Sequence, residues 1–258
     1  MIKLTRSKLE EVRLIAEKAG KAILKIYQLD NFEIQTKSDL SPLTQADLAS
    51  HNIIFSALTR LDPEIPILSE EGEKFKIDVS TFWCIDPLDG TKEFIKRNGE
   101  FTVNIALIQN YVPVLGVIYI PVKNEFFVAM KGVGAEKIYN NEHHQLSKQN
   151  KLSSEPIVFS ISRSHINQQT QDFIKQHQAS TIAVGSSLKL CLLAEGKVDA
   201  YPRFGPTSLW DMAAGHAILK ETGGEIFDLN YKPLIYNTNK ILNPDLIALR
   251  HKDIRLKI

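Results

Sequence analysis

The densest grouping of chemically capable residues in this 258-residue chain is Asp86-Pro87-Leu88-Asp89-Gly90-Thr91, directly after the apolar run Phe82-Trp83-Cys84-Ile85. A strand ending in two acids three residues apart, joined by a proline-fixed turn, can aim both carboxylates and the Leu88 carbonyl at one point. Such an oxygen-only set suits a hard cation. Magnesium, which takes oxygen ligands in octahedral geometry and keeps several waters, fits better than zinc or calcium. Gly90 permits close backbone approach, and Thr91 adds a hydroxyl at the start of a helix over 91–95, where free amides favour phosphate. Taken alone, Asp86 and Asp89 also read as turn and N-cap residues of a strand-to-helix junction. Their company argues for more: Glu70-Glu71-Gly72 follows a second strand-like run, 66–69, and Trp210-Asp211 opens a helix far downstream. Four acids thus fall at strand ends or helix starts, while Glu71 reads equally as an exposed charge after a strand.

The elements that must position these groups are legible in the apolar spacing. Ser7 with Glu10 reads as a capping box, and Leu9, Val12, Ala16, Ala19, Ile23 and Ile26 recur at three- and four-residue steps, which predicts a first helix to about Tyr27. Thr44 stands three before Asp47, and Ala46, Ala49, Ile53, Ala57 and Leu58 share one face of a second helix ending near Asp62-Pro63. An acid in a first turn, as Asp47 is, also needs no role beyond the helix dipole. Short β-rich runs at 65–69, 81–85, 101–108, 114–120 and 125–130 predict a largely antiparallel sheet. Residues 136–155 are polar without an apolar period; they read as a loop and crossover dividing an α+β half, 1–150, from an α/β half, 151–258. The second half alternates strand-like runs at 157–161 and 181–184 with helical runs at 168–178 and 187–195. It closes with a helix over 211–221 that stops at Gly223-Gly224.

Composition narrows the function classes. With 43% hydrophobic residues the chain can bury an ample core, and 31 basic against 30 acidic side chains give a net charge of +1. No global field points to a nucleic-acid polymer or an anionic membrane, so any anionic ligand must be held locally. Two cysteines, Cys84 and Cys191, make no disulfide framework and suit a reducing compartment. The N-terminal stretch mixes charges at helical spacing and reads as neither a signal peptide nor a membrane span, which predicts a cytoplasmic protein.

Ser69-Glu70-Glu71-Gly72, then Trp83-Cys84-Ile85-Asp86-Pro87-Leu88-Asp89-Gly90-Thr91, then Leu209-Trp210-Asp211-Met212-Ala213-Ala214-Gly215 resemble the three signature blocks of the inositol monophosphatase superfamily, in family order and across most of the chain. The resemblance implies a five-layered αβαβα sandwich and a lithium-sensitive, magnesium-dependent phosphomonoesterase. It implies two or three Mg2+ ions on Glu70, Asp86, the Leu88 carbonyl, Asp89 and Asp211. Substrate would be held by Glu70, Leu88, Asp89, Gly90, Thr91 and Asp211. A water nucleophile would be placed by Thr91, itself oriented by Asp47, with Glu70 assisting. Residues 37–47 also resemble the family's mobile metal-binding segment.

Two further stretches, 90–107 and 201–208, resemble the CysQ-type 3'(2'),5'-bisphosphate nucleotidases. That subgroup removes the 3'-phosphate of 3'-phosphoadenosine 5'-phosphate, a by-product of sulfate assimilation, to give AMP. Such a substrate needs a second anion site. Candidates are Ser162-Arg163-Ser164-His165, then Gly185-Ser186-Ser187 with Lys189, and Arg203; a solvated turn and a plain N-cap explain them as well. An inositol or sugar phosphatase of the same chemistry is the alternative substrate reading, and a non-catalytic nucleotide sensor the alternative class. The resemblance leaves room for peripheral attachment to the inner face of a cell membrane, which nothing in the neutral composition indicates.

Overall fold

The computed structural model of the chain describes residues 4–31, 34–36, 42–73, 78–148 and 156–258. Helix α1 (Arg6–Tyr27) is amphipathic and buries Val12, Ile15, Ala16, Ala19 and Ile23. It is capped by Thr5, whose hydroxyl accepts from the Lys8 N–H; Ser7, expected to cap, instead donates its hydroxyl to Glu11 at 3.2 Å. A short antiparallel pair, β1 (Ile34–Thr36) and β2 (Pro42–Thr44), leads into α2 (Gln45–Leu61), which starts on the expected Thr44–Asp47 capping box. Residues 37–41 lie outside the described residues.

The largest sheet is built from β3 (Ile67–Ser69), β4 (Thr81–Asp89), β5 (Thr102–Gln109), β6 (Val112–Ile120), β7 (Glu125–Met130), β8 (Gly134–Tyr139) and β9 (Glu142–Leu146), in that spatial order. A short helix, α3 (Thr91–Ile95), interrupts the run after β4. Every pairing is antiparallel except β3 with β4. The hairpin β8–β9 corrects the expectation of a loop from 136 onward. Asn140 and Asn141 hold φ of 52° and 61°, the two left-handed residues that a tight two-residue hairpin requires. The strands escaped notice because β9 is a polar edge with no face to bury. Residues 149–155 lie outside the described residues.

The second sheet comprises β10 (Val158–Ser162), β11 (Ser180–Val184), β12 (Ala200–Arg203), β13 (Glu225–Asp228) and β14 (Leu246–Leu249), in the order β11-β10-β12-β14-β13. Between these strands run α4 (Gln168–Gln176), α5 (Leu188–Ala194) and α6 (Leu209–Glu221). Side chains alternate across each strand, so successive residues enter different cores. Trp83 and Ile85 face α1 and α2, while Phe82 and Cys84 join Met212, Ala213 and Ile218 of α6 in a central cluster. On β13 and β14, Ile226, Leu246 and Ala248 join that central cluster, and Phe227, Ile247 and Leu249 pack with Phe173 of α4. The layers are therefore α1/α2, the larger sheet, α5/α6, the smaller sheet and α4, as the sequence resemblance implied. Helix α6 is buried almost all round from Leu209 to Leu219, because both its faces meet a sheet.

Candidate active site

The register of β4 decides where its acids point. In a regular strand residues three apart fall on opposite faces. Here Asp86 pairs with Asn104 and Asp89 with Thr102, so β4 carries one extra residue between them and both acids turn to the same side. Pro87 suits the irregularity because it has no N–H to withdraw from the ladder, and the Leu88 N–H bonds the Asp86 carboxylate at 3.2 Å instead. The expected proline turn is thus a bulge within one strand, and it gathers the same groups.

Asp211 arrives from the first turn of α6, where its Oδ2 accepts the Ser208 N–H at 2.6 Å in a second capping box. One carboxylate oxygen from each of Asp86, Asp89 and Asp211 lies within 4.8 Å of the others. Burial and the surrounding like charges disfavour ionisation of all three. Burial, then the charges of Glu70, Asp89, Asp211 and Glu71, raises Asp86 well above the usual carboxylate range. Asp211 is pushed up to about 8 by burial and then Asp89. Asp89 is raised by burial as well, though Lys189, Ser187 and Asn104 pull it back. Oxygen-only donors held together against their own repulsion fit a divalent hard cation, which supplies the missing positive charge. Glu70 and Glu71 stand half-buried beside this cluster, and the Glu70 N–H bonds the Ile85 carbonyl at 3.2 Å, tying β3 to the bulge.

Helix α2 grips the same loop along one face. Asp47, 1% exposed, accepts from the Thr44 N–H and hydroxyl with Oδ2, and its Oδ1 accepts the Thr91 hydroxyl at 3.0 Å. One turn on, Ser50 donates to the Pro87 carbonyl at 2.6 Å, and His51 Nδ1 meets Ser69 Oγ at 2.9 Å. Asp47 is therefore both a helix cap and the partner of Thr91; the sequence presented these as competing readings. Ser50 and His51 carried no sequence signal beyond their i+3 and i+4 spacing from Asp47, which places them on the same face.

On the opposite side, Gly90 holds φ of +94°, and a β-carbon there would come within 3.0 Å of the Glu100 carbonyl and 3.2 Å of Ser186. At Gly185 it would fall 2.6 Å from Glu93. Only glycine at both positions lets the 185–187 loop lie against the loop after β4. Several candidate nucleotide contacts are already engaged. Arg163 forms a two-pronged pair with Glu100, both contacts at 2.7 Å, which also accepts the Gly185 N–H. Ser187 is not a plain N-cap, since its hydroxyl donates to Asp89 Oδ2 at 2.7 Å. Another candidate, His165, faces a lysine that was not among them. Lys92 Nζ lies 2.9 Å from His165 Nε2, and burial, then Lys92 and Arg203, lowers the His165 pKa. Lys189 is buried beside them. Among the described residues, the Ser186 hydroxyl and Arg203 Nε are buried without a hydrogen-bond partner. Sequence reasoning missed Asn104, whose signal is a lone amide in the apolar run 103–107; a buried strand amide must find partners.

The sequence pattern of the inositol monophosphatase family matches residues 6–256. The chain belongs to this family. Within it, the 3'(2'),5'-bisphosphate nucleotidase CysQ of Escherichia coli (strain CFT073) is 44% identical, over 92% of this chain and 97% of its own. The protein of that name from Haemophilus influenzae is 35% identical over 96% and 95%. The crystal structure of CysQ from Bacteroides thetaiotaomicron superimposes with a TM-score of 0.82 at 40% identity, covering 95% of this chain and 97% of that one. The inositol monophosphatase structure from Anabaena gives 0.75 at 26% identity over 96% and 92%. The family and fold expected from the three sequence blocks therefore hold.

Proposed function

We propose that this protein is a 3'(2'),5'-bisphosphate nucleotidase that hydrolyses the 3'-phosphate of 3'-phosphoadenosine 5'-phosphate to AMP and phosphate with magnesium. The observation that carries the reading is the acid triad Asp86, Asp89 and Asp211, with oxygens within 4.8 Å, in a chain 44% identical to CysQ nucleotidases.

Glu70, Asp86, the Leu88 carbonyl, Asp89 and Asp211 would hold two or three Mg2+ ions. When bound, magnesium neutralises phosphoryl oxygens and makes a coordinated water more acidic. The protein's own groups do the positioning. Because Thr91 gives its hydrogen to Asp47 Oδ1, its oxygen lone pairs face outward as acceptors for a water hydrogen. Asp47 cannot swing away, since Thr44 holds its other oxygen. Glu70, beside the cluster, is the second group able to take that water's proton. First-turn N–H groups of α3 around Gly90 and Thr91 meet the phosphate.

A nucleotide bisphosphate carries a second anion, and Lys92, Lys189 and Arg203, with the His165 ring and the Ser186 hydroxyl as polar neighbours, form the wall that would receive it. Asp86, Asp89, Thr91 and Lys92 then belong to residues 1–150, and Asp211 with the rest of the nucleotide wall to 151–258. Among the described residues no helix is long and apolar enough to cross a membrane. The cytoplasm is the compartment that suits Cys84 and Cys191, both of them buried.

The test is phosphate release from 3'-phosphoadenosine 5'-phosphate with magnesium, with inositol 1-phosphate and fructose 1,6-bisphosphate in parallel and Asp89→Asn as control. Release favouring the nucleotide, abolished in the variant and inhibited by lithium, supports the reading. Preference for a sugar phosphate keeps the cation site and overturns the substrate; tight nucleotide binding without release marks a sensor.

A further inference from the structure

Asp89 is held by a clasp drawn from two different layers. Its Oδ2 accepts the Ser187 hydroxyl at 2.7 Å and the Asn104 amide at 3.2 Å, and the same amide nitrogen donates to Ser187 Oγ at 2.8 Å. A carboxylate only accepts, so the nitrogen of Asn104 must face Asp89. Thr102 fixes that orientation by donating its hydroxyl to Asn104 Oδ1 at 2.9 Å. With Asn104 donating into it, the single hydrogen of Ser187 is left for an acceptor. Asp89 at 2.7 Å is closer than the Asp211 carbonyl at 3.3 Å.

Ser187 stands at the N-cap of α5, the position where serine ordinarily caps its own helix, yet it makes no cap bond. Its loop is set by Gly185, whose N–H is bonded at 2.7 Å to Glu100, itself locked by Arg163. The hydroxyl is thus aimed from the α5 layer at an acid at the end of β4. Thr102 and Asn104 are buried on β5, 0% and 1% exposed, directly opposite Asp89 and Asp86 of β4. Three polar side chains together restrain one oxygen of one carboxylate. The clasp takes Oδ2 and leaves Oδ1.

The geometry points to Ser187 and Asn104 as positioning residues that hold the Asp89 carboxylate oriented for cation binding, with Thr102 setting the Asn104 amide. The inference rests on the reading of the acid triad as a cation site. Without the clasp, Asp89 must give up side-chain freedom when the cation arrives, so the cost appears in metal affinity before it appears in turnover.

The experiment uses the full chain. Mn2+ binding is measured by electron paramagnetic resonance and Mg2+ binding by calorimetry, without substrate; the Mg2+ dependence of kcat is measured with saturating nucleotide. Ser187→Ala is expected to weaken cation binding ~10–100-fold and shift the Mg2+ needed for half-maximal kcat equally, with kcat recovering at high Mg2+. Ser187→Thr, which restores the hydroxyl, is expected to recover most of the affinity. Thr102→Val, nearly isosteric and bonded through its hydroxyl to Asn104 rather than to an acid, should shift affinity in the same direction by a smaller factor and serves if Ser187→Ala does not fold. Wild-type cation affinity in both Ser187→Ala and Thr102→Val, whatever their kcat, overturns the clasp while leaving the cation site standing. A wild-type chain that binds neither Mn2+ nor Mg2+ overturns the cation site and the clasp together.

Discussion

Helix α6 touches two buried charged groups that are arranged in opposite ways. At its first turn Asp211 joins Asp86 and Asp89, three acids whose mutual repulsion and burial push their pKa values up, Asp211 to about 8. Further along, His216 lies between Tyr236 and Glu225, and Lys220 reaches the same glutamate at 2.8 Å. There opposite charges and complementary donors meet. Burial lowers the His216 pKa and keeps the ring neutral; Glu225 only accepts, so Nε2 donates to it and Nδ1 accepts the Tyr236 hydroxyl at 3.0 Å. Despite its burial, Glu225 is held down to about 2, by its hydrogen bond from His216 and then by Lys220. One end of the helix is complete and stabilises the fold. The other gathers like charges, the arrangement expected of the proposed cation site.

The comparison can be broken at either end. The largest effect is expected from Asp211→Asn, which keeps the Ser208 cap but removes a charge. Steady-state phosphate release should fall ~10³-fold or more, while the melting temperature of the metal-free protein stays level or rises because repulsion is relieved. A clear loss of stability would mean that Asp211 is paired like Glu225. Conversely, Glu225→Gln should cost about 3 kcal/mol in urea unfolding, since it strips the partner from a buried network, with kcat of the folded enzyme within about twofold of wild type. A collapse of kcat with stability unchanged would place Glu225 in the site.

The two ends should also titrate in opposite senses. Glu225, ordinarily 4.5 and held near 2, contributes stability that is present above its unfolded value and is lost as pH falls from 4.5 through 2. Asp211, ordinarily 3.8 and raised to about 8, contributes stability that is full below 3.8 and lost as pH rises through 8. Urea unfolding of metal-free protein should therefore show an acid-side decline that Glu225→Gln flattens and an alkaline-side decline that saturating Mg2+ removes. Magnesium binding at pH 7 should release protons, read from its calorimetric heat in buffers of different ionisation enthalpy; no release would mean that the triad is already ionised. The smallest effect is expected from Tyr236→Phe, about 1 kcal/mol for one buried hydrogen bond, with no change in magnesium dependence.

Much of this site was legible because its residues lie in short contiguous runs. The Thr44–Asp47 box, the acids after 66–69 and 81–85, and the start of α6 each carry a local signature, and local geometry nearly suffices to form them. Residues that act through another element were harder to read. Ser187 looked like a cap because serine before a helix usually is one, and its true partner is 98 residues away in sequence. Arg163 looked like an anion ligand because only the fold shows Glu100 beside it. The β8–β9 hairpin was invisible to an apolar-period test because its edge strand buries no face of its own.

The sequence by itself determined the chemistry available: which acids stand near turns, that a proline lies between two of them, and that α1 must lay one face on a sheet. Backbone sterics and the hydrophobic period act over a few residues and can be read directly. Only the tertiary structure decided which of these groups share a point in space. The one-residue bulge turning Asp86 and Asp89 the same way, the sandwiching of α6 between two sheets, and the Ser187 hydroxyl reaching Asp89 are outcomes of packing whole layers together. Packing couples residues far apart in the chain through distances that no local pattern encodes.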